Sequence, residues 1–304
     1  MSRSPHVEVA SPAEWASAFG IIFQYLEPPE RAARVENALR LVQTGQLPPT
    51  ALWVAHASGE LVGAVVCLPV PGASALVWPP QAIEGTRRTE IEDLLLATTI
   101  PWLQRHGAKL AQTLLAPEEI KLSGPLERNG FSRITRLWYM RHDLDLPQRW
   151  LAENRSLEFQ SYNACDRKLF RQSLLGSYEG TLDCPEVNGV RTLDEILEGH
   201  KAQGVHDPER WWLAMESGQP AGVLLLTAIP EWQGWDLSYL GVVPAARRRG
   251  VGRELARKAL RDAHAAGARQ VTLSVDERNR PAWELYRSLG FVMCEQREVY
   301  LAIW

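Results

Sequence analysis

The sequence predicts a mixed α/β (α+β) fold built as two tandem copies of one domain. Three observations lead there. Short segments rich in β-branched and aromatic residues alternate with segments whose apolar residues recur at helical spacing. The early strands of each half are joined by tight turns, which implies antiparallel pairing. Finally, the first half returns in the second at a near-constant distance. Trp53, Ser58, Gly59 and Gly63 line up with Trp212, Ser217, Gly218 and Gly222, an offset of 218 − 59 = 159. One residue more, 290 − 130 = 160, carries Gly130-Phe131 onto Gly290-Phe291 and Gly107-Ala108 onto Gly267-Ala268. Such self-similarity marks a duplicated unit. The expected domains are residues 1–145 and 157–304, joined by a polar, aperiodic linker at 145–156.

In chain order, residues 7–9 read as a strand, and Ser11-Pro12-Ala13-Glu14 as a helix cap with proline at the first helical position. Residues 29–42 give a second helix, closed by Gly45. Residues 51–57 and 61–68 are strands around the hairpin signal Ser58-Gly59. A helix follows at 89–106, with Pro101 expected to kink it. Residues 109–115 form a strand, 118–128 a helix interrupted near Gly124-Pro125, and 134–144 a closing strand. The second half repeats this order.

At 304 residues, with 45% hydrophobic and 23% charged residues, the chain has the length of two globular domains. A net charge of −3 gives no reason to expect nucleic acid as a partner. No run approaches the roughly eighteen apolar residues of a membrane span, and the N-terminal stretch lacks a signal-like apolar segment. The four cysteines are scattered and the seven histidines complete no metal-ligand spacing. A cytoplasmic protein with reduced thiols and no metal is therefore expected. Oligomeric state is not legible. Of the twelve tryptophans, most are expected in cores.

The functional signal lies in residues 235–252. An apolar, β-prone run ends at Val242-Val243-Pro244, and Arg247-Arg248-Arg249-Gly250-Val251-Gly252 follows. Then Leu255, Ala256, Ala259, Leu260 and Ala263 recur at helical spacing. Strand, basic glycine turn and helix together aim backbone N–H groups and a positive helix end at one point, which suits a phosphate or pyrophosphate. The turn is not a Walker loop, because Arg253 and Glu254 follow Gly252, and it lacks the third glycine of a Rossmann turn.

This pattern of Arg/Gln-x-x-Gly-x-Gly/Ala after a strand ending Val-x-Pro resembles the acetyl-coenzyme A signature of the Gcn5-related N-acetyltransferases. Asn279, Ala282, Leu285, Tyr286, Gly290 and Phe291 likewise match the family's Asn-x-x-Ala-x-x-Leu-Tyr-x-x-x-Gly-Phe segment. The resemblance covers most of residues 157–304 and, more faintly, 6–145. It implies a central mixed, mainly antiparallel sheet flanked by helices, with strands four and five splayed around the pantetheine arm of acetyl-CoA. It implies cofactor contacts from Leu240, Gly241, Val242, Arg247, Arg248, Arg249, Gly250, Val251, Gly252, Arg253 and Asn279, the last of which also suits a helix cap.

For chemistry, the backbone near residues 240–242 is expected to face the developing oxyanion, and Tyr286 to protonate the leaving thiolate. The attacking amine must be neutral; at a pKa near 10.4 its deprotonation at pH 7 costs about 4–5 kcal/mol. Asp236 is the expected base, through a water if needed, and Glu231 its rival. Tyr178, Glu179, Asp183 and Glu186 are candidates to wall the acceptor side. In the first half, Arg87 and Arg88 remain but the Gly-x-Gly is gone, and Leu126 stands at the tyrosine's position. A degenerate first domain and a catalytic second one resemble tandem family members, the mycothiol synthases among them. The expected activity is transfer of acetyl to a small-molecule amine. A protein lysine or N-terminus as acceptor, or a non-catalytic acetyl-CoA sensor, are the alternatives.

Overall fold

The computed structural model describes residues 4–85, 87–145 and 157–304, so most of the expected linker lies outside the described residues. The chain forms two compact units, Met1–Ile134 with Glu298–Trp304, and Thr135–Arg297.

The first unit contains β1 (His6–Val9), α1 (Trp15–Ile22), α2 (Pro28–Gln43), β2 (Leu52–Ala57), β3 (Glu60–Val70), β4 (Ser74–Val77), β5 (Gln81–Ala82), α3 (Arg88–Arg105), β6 (Leu110–Leu115) and α4 (Gly124–Arg128). Helix α3 continues through Pro101 without a break. The β2–β3 hairpin turns at Ser58 and Gly59, with φ of 54° and 87°, as its sequence predicts. After β7 (Ser132–Asp143) the second unit continues with β8 (Glu158–Ser161), α5 (Arg167–Ser177), α6 (Leu193–Lys201), β9 (Val205–Glu216), β10 (Gln219–Ile229), β11 (Gly234–Val242), α7 (Val251–Ala265), β12 (Gln270–Asp276), α8 (Arg280–Ser288) and β13 (Val292–Ile303).

Strand order in the first unit is β1-β2-β3-β4-β6-β13; in the second it is β7-β12-β11-β10-β9-β8. Pairing is antiparallel except at one place in each unit. In the first, Ser74, Ala75 and Leu76 run parallel to Leu110, Ala111 and Gln112. In the second, Gly234, Trp235 and Asp236 run parallel to Gln270, Val271 and Thr272. The shift is 234 − 74 = 160 on one strand and 270 − 110 = 160 on the other, so the sequence repeat is also a repeat of register.

The units do not coincide with residues 1–145 and 157–304. Strand β7, which closes the first sequence repeat, lies on β12, pairing Leu137 with Asp276 through Asp143 with Gln270. Strand β13, which closes the second, lies along β6 from Glu298 to Ile303. Each repeat therefore gives its last strand to the other unit's sheet. Periodicity marks a strand but carries no record of its neighbour.

Helix α7 buries Leu255, Ala256, Ala259, Leu260 and Ala263, the face predicted from spacing, together with Val251. They pack with Leu224, Leu226, Val271 and Leu273 of the sheet, and with Met140 and Leu144 of the β7 segment. This core fixes where the turn before α7 stands relative to β11.

Candidate active site

Strands β11 and β12 part early. Their parallel pairing stops at Asp236 and Thr272, although β11 continues to Val242 and β12 to Asp276. On its other side β11 stays paired with β10 up to Val242 opposite Gly222. The divergence has a local cause: Tyr239 opposes Leu225 while Leu237 opposes Leu226, so Ser238 is an extra residue. Such a bulge bends and twists its strand. The Ser238 hydroxyl lies 2.9 Å from Thr227 Oγ1 and 3.2 Å from Asp236 Oδ2, which anchors the bulge. Beyond Asp236, the edge of β11 toward β12, which includes Leu240, Gly241 and Val242, is left without a ladder partner among the described residues.

The turn that follows is shaped for an anion. Pro244 ends the strand in a short 3-10 turn, Pro244–Ala246. Arg248 then adopts φ 60° and Gly250 φ 84°, the first uncommon for a side-chain-bearing residue. Gly250 is the N-cap of α7 and offers no side chain, while its carbonyl accepts from the amides of Arg253 and Glu254. The amides of Arg248, Gly250, Val251 and Gly252 donate to no backbone carbonyl among the described residues. These donors lie at the positive end of a 15-residue helix, where an anion is favoured.

The arginines divide into two roles. Arg247 turns inward: Nε donates to the Val242 carbonyl at 3.1 Å and Nη2 to the carbonyls of Ser177 and Glu179 at 3.1 and 2.5 Å. Its side chain therefore ties the end of α5 to the end of β11 instead of projecting toward a phosphate. Arg249 pairs with Glu216 at 2.8 Å. The guanidinium groups of Arg248, exposed, and Arg253, half-buried, make no ion pair among the described residues.

Asp236 is half-buried. Oδ1 accepts from the Thr272 hydroxyl at 2.8 Å, and burial raises its pKa despite the hydrogen bonds from Thr272 and Ser238. Its rival Glu231 is exposed on the 3-10 turn Pro230–Trp232. Tyr286 is buried and packs edge-on against Phe291, ring centroids 5.6 Å apart. Burial, then the charge of Asp183 and the nearby Tyr239, push its pKa well up, so it keeps its proton throughout the neutral range. The Tyr239 hydroxyl bonds Ser177 Oγ at 2.7 Å, its ring packs on Tyr178, and burial raises it to about 12.

Asn279 caps α8 through Oδ1 to the Ala282 amide at 3.3 Å, while Nδ2 donates to Asp183 Oδ2 at 2.8 Å. Its side chain is thus engaged by the protein itself. Asp183 also accepts from the Asp276 amide at 2.8 Å, and the Cys184 amide donates to Asp276 Oδ2 at 3.0 Å. Arg278 bridges Asp276 and Glu186 at 2.7 and 2.6 Å. Burial alone would raise Asp276; the hydrogen bonds from Arg278, Thr135 and the Cys184 amide hold it below the ordinary range. This network pins the loop after α5 to the end of β12. Tyr239, Asp276 and Arg278 were not legible in the sequence, whereas Asp183 and Glu186, candidates for the acceptor side, are held in this network and Tyr178 packs on Tyr239 beside it. His200 on α6 completes it, its ring 5.7 Å from Tyr239 and its pKa depressed by burial to about 4.

Among its described residues the first unit lacks these parts. Arg87 and Arg88 are tied to Glu90 and Glu92 at 2.7 and 2.8 Å, and Leu126 is fully buried. A cavity of about 480 Å³ there has Gln24, Tyr25, Arg31 and Lys121 among its lining.

Comparison with known proteins bears on the second unit first. Residues 178–291 match the acetyltransferase (GNAT) family model. The mycothiol acetyltransferase of Thermomonospora curvata is 38% identical over 109 residues, an alignment covering 36% of this chain and 36% of that protein. That of Thermobifida fusca is 34% identical over 127 residues, 39% of each chain. The match thus spans little more than a third of the length of these curated relatives. In fold, the chain is similar to a GCN5-related N-acetyltransferase from Sphaerobacter thermophilus, with TM-score 0.62, 20% identity, and coverage of 98% of this chain and 95% of that one. It is also similar to a tandem GNAT protein from the clavulanic acid biosynthesis pathway, with TM-score 0.52, 17% identity, and coverage of 99% and 98%.

Proposed function

We propose that the protein, whose residues 178–291 match the acetyltransferase (GNAT) family model, transfers acetyl from acetyl-CoA to the primary amine of a small molecule. The observation that carries this reading is the pairing of an αL turn at Arg248 and Gly250 with the early parting of β11 from β12. The turn offers backbone donors and two unpaired guanidinium groups to a pyrophosphate, and the opened edge of β11 offers amides to an extended arm. Bound acetyl-CoA supplies the acyl thioester. In this reading, backbone amides of the 240–242 segment on that opened edge are the donors to a developing oxyanion.

Asp236 takes the proton that the amine must lose, through a water where the reach requires it. A carboxylate whose pKa lies above its ordinary range is a better base near neutrality. As the nitrogen–carbon bond forms and the carbon–sulfur bond breaks, Tyr286 gives its proton to the departing sulfur. The small-molecule acceptor is supported by the relatives named mycothiol acetyltransferases and by the half-buried polar groups of Asp183, Tyr178 and Tyr239.

A screen of amines, reading thiol release from acetyl-CoA, tests the proposal. Tyr286→Phe should keep acetyl-CoA affinity within a few-fold and lower single-turnover rate by roughly 10²–10⁴. No amine-dependent thiol release from any acceptor class would overturn the enzymatic reading. A wild-type single-turnover rate in Tyr286→Phe would overturn the acid assignment.

A further inference from the structure

We propose a transition-metal site in the first unit, formed by His6, Glu8 and His56 on the edge pair β1–β2. Linear spacing places His56 far from the other two, but the antiparallel register sets His6 directly opposite His56. Glu8, two residues along β1, points to the same face and is the diagonal neighbour of His56. The two imidazole rings stack at 5.3 Å with an interplanar angle of 24°.

Two of the three ligand-atom separations already match a coordination polyhedron. Glu8 Oε1 lies 3.4 Å from His6 Nε2 and 3.4 Å from His56 Nδ1, and all three ligand atoms fall within 4.8 Å of one another. Zinc bonds of about 2.0–2.1 Å at tetrahedral angles put neighbouring ligand atoms about 3.3–3.5 Å apart. Two of the three edges therefore need no rearrangement.

The surroundings of His56 point the same way. Its Nε2 sits 2.7 Å from Glu14 Oε1, and the other Glu14 oxygen accepts from the Ser11 amide and hydroxyl at 2.9 and 2.5 Å, so the carboxylate is fixed to accept from Nε2–H. In that tautomer Nδ1 is the lone-pair nitrogen. That atom is buried and makes no hydrogen bond, its nearest polar neighbour being Glu8 Oε1 at 3.4 Å. A carboxylate behind the far nitrogen is the arrangement that orients a metal-binding histidine and raises its basicity. Two imidazoles and one carboxylate suit zinc, nickel, cobalt or copper, and suit magnesium and calcium poorly. Three protein ligands leave a fourth position for water. Such an ion would clip the edge strand β1 to β2.

The test uses the full chain, stripped with chelator and titrated calorimetrically with zinc chloride at pH 7.5, with magnesium chloride as contrast. One equivalent of zinc and no magnesium should bind. Zinc affinity should fall at least tenfold in His6→Ala and in Glu8→Gln, both at exposed positions where the fold is safe. In Glu14→Gln it should fall about 10–100-fold, the usual cost of losing a partner behind a ligand. Cys294→Ser, which removes an exposed thiol, should leave it unchanged. Cobalt in place of zinc should give the absorption of a tetrahedral ion in wild type and lose it in His6→Ala. The absence of zinc binding, or zinc affinity unchanged in both His6→Ala and Glu8→Gln, overturns the site.

Discussion

Gly241 stands so close to Ser177 that a Cβ on it would lie 2.4 Å from the serine Oγ and 2.6 Å from Tyr239 Cε1. The end of α5 thus rests directly on the opened part of β11. The Ser177 hydroxyl meanwhile holds Tyr239. Gly241→Ala should push α5 and Tyr239 away, at a cost of roughly 1–3 kcal/mol as for other overpacked sites. We expect a lower melting temperature together with weakened acetyl-CoA binding. A variant with wild-type stability and affinity would show that this contact has slack.

The two kinds of arginine in the turn should separate experimentally. Arg248→Ala and Arg253→Ala remove cations with no ion-pair partner among the described residues, so each should weaken acetyl-CoA binding with little change in stability. Arg247→Ala strips hydrogen bonds from the carbonyls of Val242, Ser177 and Glu179 and should mainly lower the melting temperature. Calorimetry and thermal denaturation on the three variants decide it. Equal loss of affinity without destabilisation in Arg247→Ala would mean that its side chain leaves the inward position to meet the ligand.

How much of this was legible in the sequence depended on distance along the chain. The turn, helix α7 and the cap at Asn279 are local, and the residue order contains them. Even the repeat is visible, because Gly107, Gly130 and their counterparts recur at one offset. Register between distant strands is not local. Nothing near Ser132 announces that β7 will lie against β12, and nothing near His6 announces His56. Side-chain direction is equally hidden: three consecutive arginines look alike until the backbone at Arg248 turns left-handed and sends Arg247 inward. Asp276 and Arg278 were missed for the same reason, since their partners Cys184 and Glu186 lie more than ninety residues away.

Asp236 should leave its mark on pH dependence. Its pKa in the folded protein is raised above 3.8, chiefly by burial, so the folded state favours the protonated form. Its contribution to stability is full below pH 3.8 and is lost as pH rises through the folded value. Asp236→Asn, which can keep the hydrogen bond from Thr272, should therefore gain stability relative to wild type as pH rises through that window, and the difference should then level off. The rate should behave oppositely. Wild-type turnover should rise with pH along a limb set by this carboxyl, and the limb should vanish in the asparagine variant with a large loss of rate. Denaturant titrations and rate profiles from pH 4 to 9 check both signs. An unchanged acidic limb would assign the base to another group.

The exchange of closing strands makes a prediction about fragments that the sequence repeat alone would get wrong. A fragment of residues 150–304 follows the repeat, but it lacks β7. It would leave the edge of β12 from Gln270 to Asp276 without its antiparallel partner. It would also lose Met140 and Leu144 from the core that seats α7, and the Thr135 hydroxyl from Asp276. Deleting buried Met or Leu side chains costs about 2–5 kcal/mol each, against a typical total stability of about 5–15 kcal/mol. An unpaired strand edge adds a tendency to aggregate. We therefore expect residues 150–304 to be insoluble or unfolded, and residues 130–304 to fold and bind acetyl-CoA. Circular dichroism and calorimetry on the two fragments compare them directly. A folded, acetyl-CoA-binding 150–304 fragment would show that β7 is dispensable to the second unit.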